Sequence, residues 1–231
     1  YTGKSYFPNL TPRATYAAMI SYLDEQVGDL IKKLKDIGQY ENTLVIFTSD
    51  NGPTYAGGAD TPFFDSAKPF KTEYGWAKGF VHEGGIRVPM IASWPGRIKR
   101  GSRSNHISAF QDMMPTFCDI IGISIPNKTD GISMKPTLFG KNQSNTHEYL
   151  YWEFPAYKGQ QAVRMGKWKA IRRNIFDGNM KIELYDLNSD YREQNDVASA
   201  HPEIILKIKN FMVDSHTRSH LERFHFTQLG D

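Results

Sequence analysis

The chain has a single cysteine, Cys118, in 231 residues, so no internal disulfide can form. No apolar run approaches the roughly 20 residues that a membrane-crossing helix needs. The formal net charge is only +3, too little to argue for a nucleic-acid partner and only mildly welcoming to anionic substrates. No internal repeat or low-complexity tract is present, and no signal-peptide pattern is visible. The chain starts at Tyr1 rather than Met, which leads to the expectation of a processed or trimmed piece. Charged residues at 23% and hydrophobic ones at 39% fit a globular chain long enough for one or two domains. Aromatic residues are plentiful at 13%, which suits a carbohydrate or aryl surface and equally a β-rich core.

The most informative stretch is Leu44-Val45-Ile46-Phe47-Thr48-Ser49-Asp50-Asn51-Gly52-Pro53. Four apolar residues without alternation predict a strand buried on both faces. The abrupt change to Ser, Asp, Asn, Gly and Pro predicts a polar loop at its carboxyl end, where open α/β sheets place their ligands. Asp50 and Asn51 offer oxygen ligands suited to calcium or magnesium. An Asp-Asn-Gly turn that merely ends a strand reads the same residues equally well.

Ahead of this stretch, residues 1–10 read as an irregular lead-in with Gly3 and Pro8. Thr11-Pro12 resembles an N-cap with proline at the first helical position. Ile20, Leu23, Val27, Leu30, Ile31 and Leu34 then predict an amphipathic helix ending near Gly38. A helix feeding a buried strand is half of a βαβ unit, so the sheet should be mainly parallel. From Pro53 to Gly79 the glycines and prolines, Gly57 and Gly58 among them, predict a long loop, functional or disordered, carrying Asp60, Asp65, Lys68, Lys71, Glu73 and Lys78. The adjacent Gly84 and Gly85 predict close backbone approach, and Met90 to Trp94 a further strand.

Ser108 to Ile121 reads as a helix with Met113, Met114, Phe117, Ile120 and Ile121 on its apolar face and Cys118 as a core thiol. Residues 122–146 are loop-rich, and the acceptor patterns at Asn127 and Asn142 are weak. After Asn145 come four short strand candidates: Tyr149 to Phe154, Gln161 to Met165, Trp168 to Arg172 and Ile182 to Tyr185. Turns at Gly166-Lys167 and Asp177-Gly178-Asn179 make these a small antiparallel sheet. His201-Pro202-Glu203 opens a last helix with Ile205, Ile208, Phe211 and Met212 on one face. The tail 216–231 shows no period, and His147, His201, His216, His220 and His225 count as surface.

Several segments together resemble the sulfatase family of the alkaline phosphatase superfamily. Leu34-Lys35-Asp36-Ile37-Gly38 followed by Asn42 to Gly52 is similar to the segment that leads to the family's metal-binding Asp-Asn pair. Lys78, five residues ahead of Glu83-Gly84-Gly85-Ile86-Arg87-Val88-Pro89, resembles the family's lysine-to-Glu-Gly-Gly block. Asp112-Met113-Met114-Pro115-Thr116, Asp130-Gly131-Ile132-Ser133 and Tyr185-Asp186-Leu187 resemble three later segments, in order.

The resemblance implies hydrolysis of a sulfate ester by a formylglycine nucleophile with one calcium ion. Asp50 and Asn51 match the late metal ligands and Lys78 a sulfate-binding, catalytic lysine. His82 stands where it could line the substrate, and Arg87 where it would form a structural ion pair. Cys118, followed by Asp119-Ile120-Ile121, does not fit the Cys- or Ser-led motif that becomes formylglycine, and the early paired aspartates are absent. The chain therefore resembles the C-terminal half of a sulfatase, with formylglycine expected outside it. The implied fold is α/β: residues 1–145 are the latter part of an alkaline-phosphatase-like domain with a mainly parallel sheet flanked by helices. Residues 146–231 are a small antiparallel sheet and helix. The implied substrate is a sulfated small molecule or glycan, in a periplasmic or secreted setting. The alternatives are a phosphatase or phosphodiesterase of the same superfamily, or a non-catalytic module that binds sulfated glycans.

Overall fold

The computed structural model describes residues 9–55 and 59–231. The lead-in before residue 9, with Gly3 and Pro8, and the pair Gly57-Gly58 lie outside the described residues. In chain order the elements are α1 (Pro12–Asp36), β1 (Val45–Thr48), α2 (Thr61–Phe64), α3 (Glu83–Ile86), β2 (Met90–Ser93), α4 (Met113–Ile121), α5 (Lys135–Leu138), β3 (Leu150–Phe154), β4 (Gln160–Met165), β5 (Trp168–Arg173), β6 (Glu183–Asp186) and α6 (Pro202–Ser215). They fall into two units with interleaved sequence. One holds Met19–Thr48 and Met90–Glu148; the other holds the described residues up to Ala18, Ser49–Pro89 and Tyr149–Asp231. The loop from Pro53 to Gly79 thus groups with the C-terminal sheet.

Helix α1, most of which lies in the first unit, starts at the expected proline and ends near Gly38, whose φ of +68° lets Gln39 N–H reach Leu34 O at 2.9 Å. None of its residues is fully buried: Val27, Ile31 and Leu34 are half-buried, and Leu23 and Leu30 are exposed. β1 forms where expected but pairs antiparallel with β2, Val45 opposite Ser93 and Thr48 opposite Met90. It is half-buried, with Phe47 exposed, and no parallel ladder occurs among the described residues. Four apolar residues encode a strand that both faces can bury; strand direction is set by neighbours they do not encode. α4 follows a turn of 3₁₀ helix and closes at Gly122 with φ +76°. Its buried residues are Pro115, Thr116 and Cys118, whereas Met114, Phe117 and Ile121 of the expected face are exposed.

Polar bonds, not that apolar face, fix α4 within its unit. Buried Asp112 accepts the N–H groups of Ala109 at 2.8 Å and Ile132 at 2.7 Å, and its carboxylate lies 2.7 Å from His147 Nε2. Thr116 donates to Asp112 O at 2.6 Å and accepts from Met134 N at 2.9 Å. His147 is therefore a nearly buried partner rather than a surface residue.

The second unit is built on the meander β3-β4-β5-β6, antiparallel throughout, with turns at Gly166 and Gly178. The strands begin and end within a residue or two of the expected positions. Alternate residues on β4 and β5 face opposite ways. Val163, Ala170 and Leu184 meet Ile208 and Met212 of α6 on one face. Ala162, Ile171, Tyr185 and Leu187 meet Val81 on the other. A sheet covered on both faces carries the site loop on one of them. The tail is packed rather than loose: Phe226 is buried, with its ring 4.9 Å from that of Phe176. His216, expected at the surface, lies between Glu153 Oε2 at 2.7 Å and Asp231 Oδ1 at 2.9 Å. The two carboxylates outweigh partial burial and raise its pKa above the usual histidine value.

Candidate functional site

Three glycines draw the candidate residues together. A Cβ on Gly52 would stand 1.8 Å from Gly84 O, one on Gly84 2.1 Å from Lys71 O, and one on Gly85 2.0 Å from Phe80 O. Only residues without a side chain permit such approach. Gly52 N–H donates to Gly85 O at 2.9 Å, and Lys78 N–H donates to Pro53 O at 3.0 Å. These two bonds bind the turn carrying Asp50 and Asn51 to the segment carrying Lys78. Gln160 of β4 pins the same segment, donating from Nε2 to Gly79 O at 2.9 Å.

Asp50 is exposed, and its carboxylate has no hydrogen-bond or ion-pair partner among the described residues. Asn51 is half-buried; its Nδ2 donates to Gly52 O at 2.9 Å, which leaves Oδ1 to accept. Lys78 is exposed, and its ammonium has no partner among the described residues. His82 is different. It is fully buried with both ring nitrogens unpartnered, packed 4.0 Å from the Trp76 ring. Burial first, then the charges of Lys169, Arg173 and Lys71, hold its pKa well below the usual value, so the imidazole is neutral. It offers a substrate no surface in this structure. Its spacing from Lys78 marked the right segment but could not tell inward from outward on an irregular loop.

Beneath the loop lies an ion cluster that the sequence reading missed. Lys169 of β5 is fully buried, with Nζ 2.9 Å from Glu83 Oε1 and 3.7 Å from Glu193 Oε1. Glu83 Oε2 lies 3.3 Å from Arg87 Nη1 and 3.5 Å from Arg164 Nη1, and Arg87 thus forms the ion pair expected of it. Glu193 Oε2 accepts the Glu83 N–H at 2.9 Å. Burial alone would raise the pKa of Glu83, but Lys169 and the two arginines outweigh it and keep that carboxyl below its usual value. Glu193 is pushed up to about 7, by burial foremost and by the nearby Glu83 charge. The one signal was a lysine inside the otherwise apolar strand Trp168-Lys169-Ala170-Ile171.

No group of three or more His, Cys, Asp or Glu side chains that could hold a metal occurs among the described residues. The donors present still suit a hard cation: the Asp50 carboxylate and Asn51 Oδ1 are oxygens with no competing partner. Together they supply part of the about six to eight oxygens that calcium takes. No helix among the described residues is long and apolar enough to cross a membrane.

Known proteins match this chain in sequence and in fold. A family profile described as "Sulfatase" covers residues 2–123, and one described as "N-sulphoglucosamine sulphohydrolase, C-terminal" covers residues 72–218. An N-acetylglucosamine-6-O-sulfatase of Bacteroides thetaiotaomicron is 33% identical, over 79% of this chain and 31% of its own. Human arylsulfatase A is 30% identical, over 92% of this chain and 45% of its own. The crystal structure of Ps i-CgsB superposes with a TM-score of 0.74 at 30% identity, over 89% of this chain and 43% of its own. The chain therefore spans less than half the length of these relatives. Its fold is that of the alkaline-phosphatase-like α/β sulfatases with their small antiparallel sheet, and the chain belongs to the sulfatase family.

Proposed function

We propose that the full-length protein hydrolyses sulfate esters of carbohydrates, with Asp50, Asn51 and Lys78 as this chain's share of the active site. The observation that carries the reading is the pair of backbone bonds, Gly52 to Gly85 and Lys78 to Pro53, that hold an unpaired carboxylate, an amide oxygen and an unpaired ammonium on one knot of chain. A sulfate monoester bears one negative charge shared by its non-bridging oxygens, and charge grows on the bridging oxygen as the S–O bond breaks. Lys78, a compact charge with three donors, holds the ester and faces that growing charge. Asp50 and Asn51 Oδ1 hold one divalent cation, calcium by their chemistry, which when bound neutralises charge on the sulfate oxygens. The nucleophile, formylglycine, belongs to chain outside these residues. His82 and Trp76 pack under the loop and keep water from its floor.

A glycan is the substrate class in keeping with the name of the Bacteroides relative. A periplasmic or secreted location belongs to the same proposal, because sulfated polysaccharides are extracellular polymers. The test is sulfate release by the full-length protein from N-acetylglucosamine 6-sulfate, beside phosphate release from the matching phosphate ester. We expect sulfate release with multiple turnovers, lowered at least about a hundredfold by Asp50→Ala. Release of phosphate alone, or sulfate release indifferent to Asp50→Ala, contradicts the proposal.

A further inference from the structure

Five aromatic rings touch in succession beside the candidate site, the first two contacts edge to face. Tyr55 and Tyr74 stand 6.0 Å apart between centroids, Tyr74 and Phe80 5.6 Å, Phe80 and Tyr157 4.7 Å, and Tyr157 and Phe154 6.4 Å. They come from three segments of one unit: the turn after Asp50-Asn51, the loop around Lys78, and the end of β3 with its connection to β4. Tyr55 follows Asn51 by four residues and Phe80 follows Lys78 by two. A core plug would bury these rings, yet Tyr74 is 69% exposed and Tyr157 49%.

The row is held in place at a conformational cost. Tyr157 and Lys158 have φ of +50° and +68°, a region that bulky residues avoid, and Gly159 follows at +78°. Phe176 N–H and Ile175 N–H clamp that bend through Lys158 O at 3.0 Å and Gly159 O at 3.2 Å. The bend presses the Tyr157 ring onto the Lys78 loop so closely that a Cβ on Gly79 would stand 2.4 Å from it. Strained backbone that the surrounding structure over-determines clusters at ligand clamps. Charge is complementary to an anion as well. Lys68 and Lys78 are exposed and have no ion-pair partner among the described residues. Glu73, the carboxylate beside Tyr74, stands 4.0 Å from Arg192.

We propose that Tyr55, Tyr74, Phe80, Tyr157 and Phe154 form a stacking subsite for the sugar rings of a sulfated oligosaccharide whose sulfate sits at Lys78. The C–H face of a pyranose is apolar and packs on aromatic rings, while its hydroxyls stay in water. Two of the rings, Tyr74 and Tyr157, are exposed and come from different segments, so the surface offers a separate ring to each of two successive sugars, and the occupant is a chain of sugars. This inference rests on the sulfatase reading and deepens it.

The experiment compares the full-length protein on N-acetylglucosamine 6-sulfate and on an oligosaccharide carrying that residue. Tyr157→Ala should raise KM for the oligosaccharide about tenfold more than KM for the monosaccharide. Tyr157→Phe, which keeps the ring, should leave both KM values near those of the unmutated protein, and Tyr74→Ala should reproduce the selective rise. Equal effects on the two substrates, or none, overturn the subsite. Calorimetry with the same oligosaccharide separates the two readings. If neither substrate is turned over, the sulfatase reading fails by itself. Oligosaccharide binding that weakens in Tyr157→Ala then still supports the subsite, and binding that does not weaken, or no binding, overturns it.

Discussion

At the scale of single residues, His82 is the sharpest case. An imidazole with both nitrogens buried and unpartnered gains nothing from its polarity. Replacing a buried polar group by an apolar one of similar shape is close to neutral or stabilising. We predict that His82→Phe keeps the melting temperature within about 3 °C, with kcat/KM within about threefold. Thermal melts beside kinetics check this, and a loss of activity tenfold or greater in a protein that still melts normally would show that His82 reaches the substrate. The segments that carry Asp50, Asn51 and Lys78 were legible because they keep a recognisable order along the chain, and the structure holds them together through the Gly52–Gly85 and Lys78–Pro53 bonds. The direction of His82 was not legible: its ring turns inward onto Trp76, and packing on an irregular loop leaves no periodic pattern.

At the scale of elements, the ion cluster joins the Glu83-Gly84-Gly85 turn to β5 and to the loop after β6. Removing one partner of a buried pair leaves an uncompensated charge and costs about 3–5 kcal/mol. Lys169→Met should therefore lower stability by about that amount, read from urea denaturation midpoints. A loss below about 1 kcal/mol would mean that Arg87 and Arg164 suffice for Glu83. The pH dependence has a definite sign. Glu193 titrates near 7 in the folded chain against an ordinary value of 4.5, so folding favours its protonated form. Its contribution is full below the ordinary value and is lost as pH rises through about 7. Glu193→Gln, neutral at every pH and still able to accept the Glu83 N–H, should flatten the decline in stability between about pH 5 and pH 8. Parallel declines in both proteins would place the titration elsewhere, His216 being the other group whose raised pKa acts with this sign. Existence and rough limits of most elements were readable from period and turn chemistry. Faces were less so: the buried side of α4 is set by Asp112 and Thr116 hydrogen bonds, which hydrophobic spacing does not report.

At the scale of the molecule, the chain carries exposed apolar residues in several places, among them Leu23 and Leu30 on α1, Ile91 on β2, and Phe117, Ile121 and Ile123 around α4. The relatives are more than twice as long, and the nucleophile motif is not in this sequence. The 231-residue chain by itself should accordingly release no sulfate over multiple turnovers. It should bind calcium weakly, because Asp50 and Asn51 give at most about three of the six to eight oxygens required. Tight calcium binding in titration calorimetry that survives Asp50→Asn and Asn51→Ala would remove both residues from the metal site. The antiparallel pairing of β1 with β2 belongs to the same scale. The sequence of β1 reads as a strand for the middle of a sheet, and among the described residues it has one neighbour.

The central claim is that Lys78 binds sulfate, and steady-state kinetics of Lys78→Ala in the full-length protein, beside a melting curve, tests it most directly. An exposed lysine without a partner contributes little to stability, so the melting temperature should hold. Losing a fixed charge aimed at developing charge typically costs about a hundred- to a thousandfold, so kcat/KM should fall at least about a hundredfold. Lys78→Arg should recover only part of that loss, since a planar guanidinium cannot occupy the same point. Near-normal kcat/KM in Lys78→Ala would contradict the account and take Lys78 out of the active site.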